Sequence, residues 1–229
     1  MAHPVALAGV LTLLSLILAI HNWHKTSERV PLWWDLQAHP LLFGPRWFGL
    51  LFLPVLTFLI SYLLYLVSLL DSRLQSAGEL SKRSADHLIL FPAFFLCTVQ
   101  NIIILPVAKS ETHDFDANLF VLMVALWLIW FGHIVQFLEP NSVFGFITPW
   151  TSDDSNFTYT QQIGGKILVV SAVILLIAAW FVPVGWPLLV VLLVFFFGPF
   201  VVIWGLSYGY TTRLLLLSLY FFVSYVVRN

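Results

Sequence analysis

Charge is what this chain has least of. Only 9% of its 229 residues are Asp, Glu, Lys or Arg, where an ordinary soluble domain carries about 25%. Ten basic residues face eleven acidic ones for a net charge of −1, so there is no basic stripe to neutralise phosphates and nucleic acid is excluded as a partner. A single cysteine, Cys97, rules out an internal disulfide and any paired-thiol site. Set inside an apolar run, it reads as a small hydrophobe. Also missing are HExxH, GxSxG, the phosphate-binding GxxxxGK[ST] and any two membrane acids placed to share a catalytic proton. Asp153 and Asp154 are adjacent and read as turn or N-cap residues for a helix starting around Asn156. The sequence therefore offers no catalytic residue, no metal site and no cofactor, and it points away from an enzyme.

Hydrophobic residues, by contrast, make up 60% of the chain and give a mean hydropathy of +0.95. They fall in blocks of roughly 18 or more, the length that crosses a bilayer as a helix. The sequence predicts an all-α, multi-pass integral membrane protein of the cell membrane, a bundle of six to seven transmembrane helices with the lipid bilayer as its solvent. Spans are expected at about 5–21, 47–70, 88–108, 118–138, 166–182 and 186–206. A seventh follows Gly209 and Arg213 and extends to about Val227. The N-terminal span has no preceding basic residue and no small-residue cleavage pattern, so it reads as a retained helix and not as a signal peptide.

Two regions are expected. Residues 1–110 hold helices 1–3 with an interfacial loop at 26–46, which contains Pro31, Pro40, Pro45 and the pair Trp33 and Trp34. Residues 111–229 hold helices 4–7 with a long polar loop at 141–166. Acidic residues Glu111, Asp114 and Asp116 mark the turn between the regions, and the most charged connection runs from Asp71 to Asp86. Counting Lys and Arg by side gives five against five, with the Arg73, Lys82 and Arg83 cluster favouring an inside N-terminus.

Ionisable and amide side chains inside lipid call for a partner or a function. Gln100 and Asn101 in the third span, and His133 and Gln136 in the fourth, lie at comparable depth. They are expected to form a polar seam between those helices. In one reading His133 relays protons or binds a cofactor; in the other it hydrogen-bonds Gln100 or Asn101 and fixes packing. His21 and His24, spaced i, i+3, read as interfacial residues ending the first span, since a metal would need a third ligand.

The order Gly145, Phe146, Ile147, Thr148, Pro149, Trp150, Thr151, then Phe157, then Gln162, Ile163, Gly164, Gly165, Lys166 resembles the signature of the SdpI family of bacterial membrane proteins. That family shows a Gly-x-Arg-Thr-Pro-Trp-Thr run, a later aromatic, and Gly-Gly-Lys opening the next helix. Upstream, Pro31 to Asp35, Gly44 to Arg46 and Leu53-Pro54 are similar to the domain of unknown function that often precedes it. This chain departs from both, with Ile147 at the family's arginine and Trp33 at the upstream histidine. The resemblance implies a toxin-immunity or signal-transducing protein that binds a peptide toxin or a regulatory protein. A compatible arrangement folds the 141–166 loop at the interface, with Trp150 and Phe157 as anchors, Gly164 and Gly165 permitting close approach, and Thr148, Thr151 and Asp153 presenting polar contacts; the alternative is an amphipathic segment that merely begins the fifth span. Two other readings stand beside it: an accessory subunit of a larger membrane complex, suggested by 21 Phe and 10 Trp on a small bundle, and a small transporter using the polar seam.

Overall fold

A computed structural model of the chain describes residues 4–35, 39–109, 116–149, 151 and 153–228, the residues from 212 onward as backbone only. Eight α-helices and one hairpin follow in the order α1 (Pro4–His21), β1 (Arg29–Trp34), β2 (Pro40–Pro45), α2 (Arg46–Leu70), α3 (Ser72–Ser76), α4 (Glu79–Thr98), α5 (Leu105–Lys109), α6 (Ala117–Val135), α7 (Asp154–Phe181) and α8 (Trp186–Arg228). A single π-helical turn, Val99–Ile104, joins α4 to α5. Six helical spans among the described residues are long and apolar enough to cross a membrane, the third formed by α4, the π turn and α5 together.

These helices pack as two groups. α1, α2 and α4 contact one another, α7 lies between α6 and α8, and α4 against α6 joins the groups. Small residues let α1 approach its neighbours: its buried face is Ala8, Thr12, Ser15 and Ala19, as expected where lipid gives helices no hydrophobic reason to associate and close van der Waals approach must serve instead. The joint between the groups is aromatic. Phe91, Phe94 and Phe95 of α4 interleave with Trp127, Trp130 and Phe131 of α6, with ring centroids 5.5 to 6.1 Å apart across the helix pair.

Three sequence expectations change. The 26–46 stretch is not an open loop but an antiparallel hairpin, pairing Arg29 with Pro45 and Trp34 with Pro40 and bulged near Trp33. Prolines are tolerated because a two-stranded ribbon is all edge. Arg46 ties its base, donating from Nε to the Ser27 carbonyl at 2.9 Å and lying over the Trp23 ring at 5.5 Å. The 141–166 loop ends early, since α7 begins at Asp154 and residues 154–166 are helical. Finally, no turn interrupts Gly209: the run expected as a seventh span continues α8 without a break. At about 1.5 Å per residue this helix of 43 residues far exceeds the bilayer core of about 30 Å.

Membrane sidedness follows from the packing. The connection from α2 to α4, the loop from α6 to α7, the start of α1 and the far end of α8 share one face, here the loop face. Hairpin, α5 and the turn from α7 to α8 share the other. Pro4 lies beside Ser68, Leu69 and Lys82 on the loop face.

Candidate functional site

Residues 136–153 between α6 and α7 contain the most specific sequence run in the chain, and the side chain that holds it is Gln161. This residue is fully buried on α7. Its Oε1 accepts from the Phe146 amide at 2.9 Å and its Nε2 donates to the Phe146 carbonyl at 3.1 Å, pairing both backbone groups of one loop residue as a neighbouring strand would. Gly145 makes room for this pair. Its φ of +96° lies in the left-handed region that side-chain-bearing residues avoid, and a Cβ there would overlap the Gln161 amide. Phe146 in turn is buried, its ring filling the space over Gly164, where a Cβ would come within 2.8 Å of it.

The rest of the loop is built the same way, from short polar side chains that satisfy backbone. Thr151 Oγ1 donates to the Thr148 carbonyl at 2.8 Å and accepts from the Thr148 amide at 2.9 Å. Thr148 Oγ1 shares a 2.9 Å hydrogen bond with Ser207 of α8. Asn156, also fully buried, donates to the Ser207 carbonyl at 3.2 Å and to Thr211 Oγ1 at 2.7 Å, while its Oδ1 accepts from Thr160 at 3.1 Å. Asp153 caps α7 by accepting from the Asn156 amide at 3.0 Å. The Ser155 hydroxyl first, and that amide second, hold its carboxyl below the usual range.

Four contacts tie this loop to the first helix group. Asp71, 8% exposed, caps α3 through Oδ1 and accepts from the Ser142 amide through Oδ2 at 2.6 Å. Glu139 accepts from the Gly78 amide at 3.0 Å, and its own amide donates to Ser81 at 3.0 Å. At the rim, Arg73 meets Asp154 at 3.2 Å. The charged connection 71–86 is thus largely helical, and it is docked on the motif loop.

Of the signature residues, Gly145, Thr148, Thr151, Phe157, Gly164 and Gly165 converge on this network. Phe157 is buried in the main core. Gly165 faces Gly132 of α6 so closely that a Cβ on either would strike the other's carbonyl oxygen. Pro149 and Lys166 are exposed and stand apart from the network. Trp150 lies outside the described residues. Of the residues expected to present polar contacts, Thr148 and Thr151 bond within the loop and to α8, while Asp153 is exposed and caps α7.

The expected seam between the third and fourth spans does not form. Gln100 and Asn101 sit on the π turn and face α1 and α2. Gln100 donates to the Leu50 carbonyl at 3.1 Å, the acceptor that Pro54 leaves without its helical donor because proline has no N–H. Asn101 donates to Ser15 Oγ at 2.7 Å and to the Cys97 carbonyl at 2.8 Å. On α6, Gln136 bonds back to Gly132 at 2.7 Å beside Gly165. His133 is on the outer face, edge-on to Phe137 with centroids 5.4 Å apart. These four residues are dispersed because α4 and α6 run antiparallel, Phe91 beside Trp130 and Ser81 beside Glu139. That leaves Gln100 and Asn101 toward the hairpin, near the level of Phe120 and Val121, and His133 and Gln136 at the loop end of α6. Among the described residues no three His, Cys, Asp or Glu side chains gather as metal ligands.

Gln161, Asn156, Asp71 and Ser207 escaped the sequence reading. The signal for the first two was present: Asn156, Thr160 and Gly164, like Phe157, Gln161 and Gly165, recur every four residues or so and mark one helix face.

Neither a curated protein nor a solved structure matches the chain. Residues 10–58, from α1 through the hairpin into α2, match a domain of unknown function, DUF1648. Residues 138–206, which hold the locked loop, α7 and most of the membrane part of α8, match the model of the SdpI/YfhL protein family. The chain is a multi-pass membrane protein that carries an SdpI/YfhL family region over residues 138–206 and a DUF1648 region over residues 10–58.

Proposed function

We propose that this protein works without catalysis, in the cell membrane, as an immunity or signal-transducing protein that binds a peptide or a regulatory protein through its loop face. One observation carries the reading: the SdpI signature loop is preorganised. Gln161 pairs both the amide and the carbonyl of Phe146, so a partner meets a fixed surface and pays little ordering entropy on binding. Fixed backbone with outward-facing Ile147, Pro149 and Ser142 suits recognition of another chain better than it suits turnover of a small substrate. The contacts from Asp71 and Glu139 support signal transmission, because any displacement of the loop is felt by the first helix group.

The test is protection. A bacterium sensitive to the secreted killing peptide that the family's namesake resists should survive challenge when it expresses this chain. It should not survive with Gly164→Leu, which drives a side chain into Phe146, once immunoblotting shows both proteins equally present in the membrane fraction. Death of cells expressing the unaltered chain would sink the immunity reading, and equal survival with both would remove the loop from it.

A further inference from the structure

Away from the loop face, an apolar cleft lies at the opposite membrane boundary. It is a cavity of about 480 Å³ between the hairpin, the π turn and the first turns of α6 and α8. Trp34 and Leu32 form its roof, Phe120 and Val121 one wall, Leu188 and Leu192 another. Asp35 is its one ionisable lining residue, and Asp35 is engaged with the hairpin turn, accepting from the His39 amide at 2.8 Å. A second chamber of about 220 Å³ adjoins it and shares Leu32, Trp34 and Ile104.

The π turn is what opens this wall. Val99 and Ile104 both line the cavity. At about 100° per residue, an α-helix would set two residues five apart on faces some 140° from each other. Hydrogen bonding from i to i+5 brings them to the same face, one above the other. The helix therefore departs from its regular form at the place where an apolar wall is needed.

We propose that this cavity seats one acyl chain of a bilayer phospholipid, with the headgroup at the level of Trp33 and Asp35. Three features fit that occupant. Apart from Asp35 the lining is hydrocarbon and indole, so water gains little there. The volume equals that of a dozen or more methylene groups at about 30 Å³ each, the share of a water molecule in the liquid. Depth matches as well: from Trp186, where α8 begins, to Leu192 is about 9 Å at 1.5 Å per residue, inside the roughly 15 Å that one leaflet contributes to the hydrocarbon core. The walls come from both helix groups, so the chain would act as packing material between them at the end of the bundle opposite the Asp71 and Glu139 contacts.

The experiment is photocrosslinking of the full chain in phosphatidylcholine and phosphatidylglycerol vesicles doped with a phosphatidylcholine bearing a terminal diazirine on one acyl chain, with adducts mapped by mass spectrometry. Adducts on residues 99–104 and 185–192 should exceed those on the exposed α2 positions Leu59 and Leu63 several-fold. Ala117→Trp, which fills the cavity from the start of α6, should remove that excess and leave the Leu59 and Leu63 labelling unchanged; Ala117→Val, too small to fill it, should retain the excess. Uniform labelling, or an excess unchanged by Ala117→Trp in a protein that still elutes as a single species, overturns the proposal. So does labelling of the cavity only by a free diazirine fatty acid, or only by a diazirine-bearing apolar peptide added to unlabelled vesicles.

Discussion

Replacing Gln161 with alanine removes the most concentrated set of interactions in the motif loop, and the structure allows the loss to be sized. Two hydrogen bonds of 2.9 and 3.1 Å disappear, and the Phe146 amide and carbonyl are left without partners. Each buried, unpaired group costs about 1–3 kcal/mol, and alanine returns only a few tenths through its better helix propensity. The expected net loss is about 3 kcal/mol, which for a chain of this size corresponds to a fall in melting temperature of about 6–12 °C. Heating a fluorescent-protein fusion in mild detergent and measuring the monodisperse fraction by size-exclusion chromatography reads this directly. Gln162→Ala, exposed on the same helix, is the internal control and should leave the midpoint in place. Gln161→Glu separates the two bonds, since it keeps an acceptor for the Phe146 amide and loses the donor to the carbonyl, and it should melt below the parent as well. A Gln161→Ala midpoint within 2 °C or so of the parent, less than about 1 kcal/mol by the same conversion, would mean that the loop is held by something other than the amide clamp.

Gly165→Val places branched carbon against the Gly132 carbonyl, so α6 and α7 must part; a loss of about 1–3 kcal/mol from overpacking should appear in the same thermal assay, with Val170→Ala on the exposed face as a silent comparison. His133→Ala should change melting by no more than about 0.5 kcal/mol, as for surface positions generally, because the imidazole is outside the packed network. A clear destabilisation would place it in contacts that the structure does not have. Cysteines introduced at Ser76 and Ser142 should react with a membrane-impermeant maleimide from one side of the membrane, and one at Leu41 from the other. With α8 unbroken, Arg213 and Arg228 join Arg73, Lys82, Arg83 and Lys166 on the loop face, six basic residues against Lys25, Arg29, Arg46 and Lys109. That face should therefore be the cytoplasmic one, and labelling of Leu41→Cys from the cytoplasm would reverse it.

Hydropathy made the six crossings legible because length and apolarity are properties of the chain alone. Which face of a helix turns inward is not such a property here. In lipid both faces are apolar, and α1, with Ile17 and Ile20 outward and Ala8 and Ala19 inward, is sorted by size instead of polarity. The polar seam expected around His133 failed for a different reason: with Phe91 packed on Trp130, Gln100 and Asn101 lie near the level of Phe120 and Val121, at the other end of the bundle from His133 and Gln136. Polar residues 154–162 were counted with the loop because they are unlike a membrane core, although Asp153 and Asp154 already read as caps of a helix starting near Asn156; α7 does begin there, capped by Asp153, and rises out of the membrane core through these residues. The end of α8 was misjudged in the opposite sense. Glycine and arginine at 209 and 213 look like a break, but neither forbids a helix, and no proline follows to end it. The signature residues were legible as a pattern; that their centre is Gln161, which stands just before the Gly-Gly-Lys run, was not.

The π turn has a consequence for how this chain can vary in length. A helix that bonds i to i+5 for one turn carries one residue more than an α-helix of the same span needs. Deleting one residue there, such as the exposed Ile102, would therefore let the ladder close as a regular α-helix without turning what lies beyond. Leu105 and Ala108 would keep their seats against Val30 and Leu50, and the Ala108 carbonyl would stay within reach of the Ser27 amide, 3.3 Å away. A residue added to the turn has no such slack and would rotate everything beyond it by about 100°. The third span thus accepts the loss of one residue at this turn but not the gain of one, and a one-residue insertion there should cost more than a one-residue deletion.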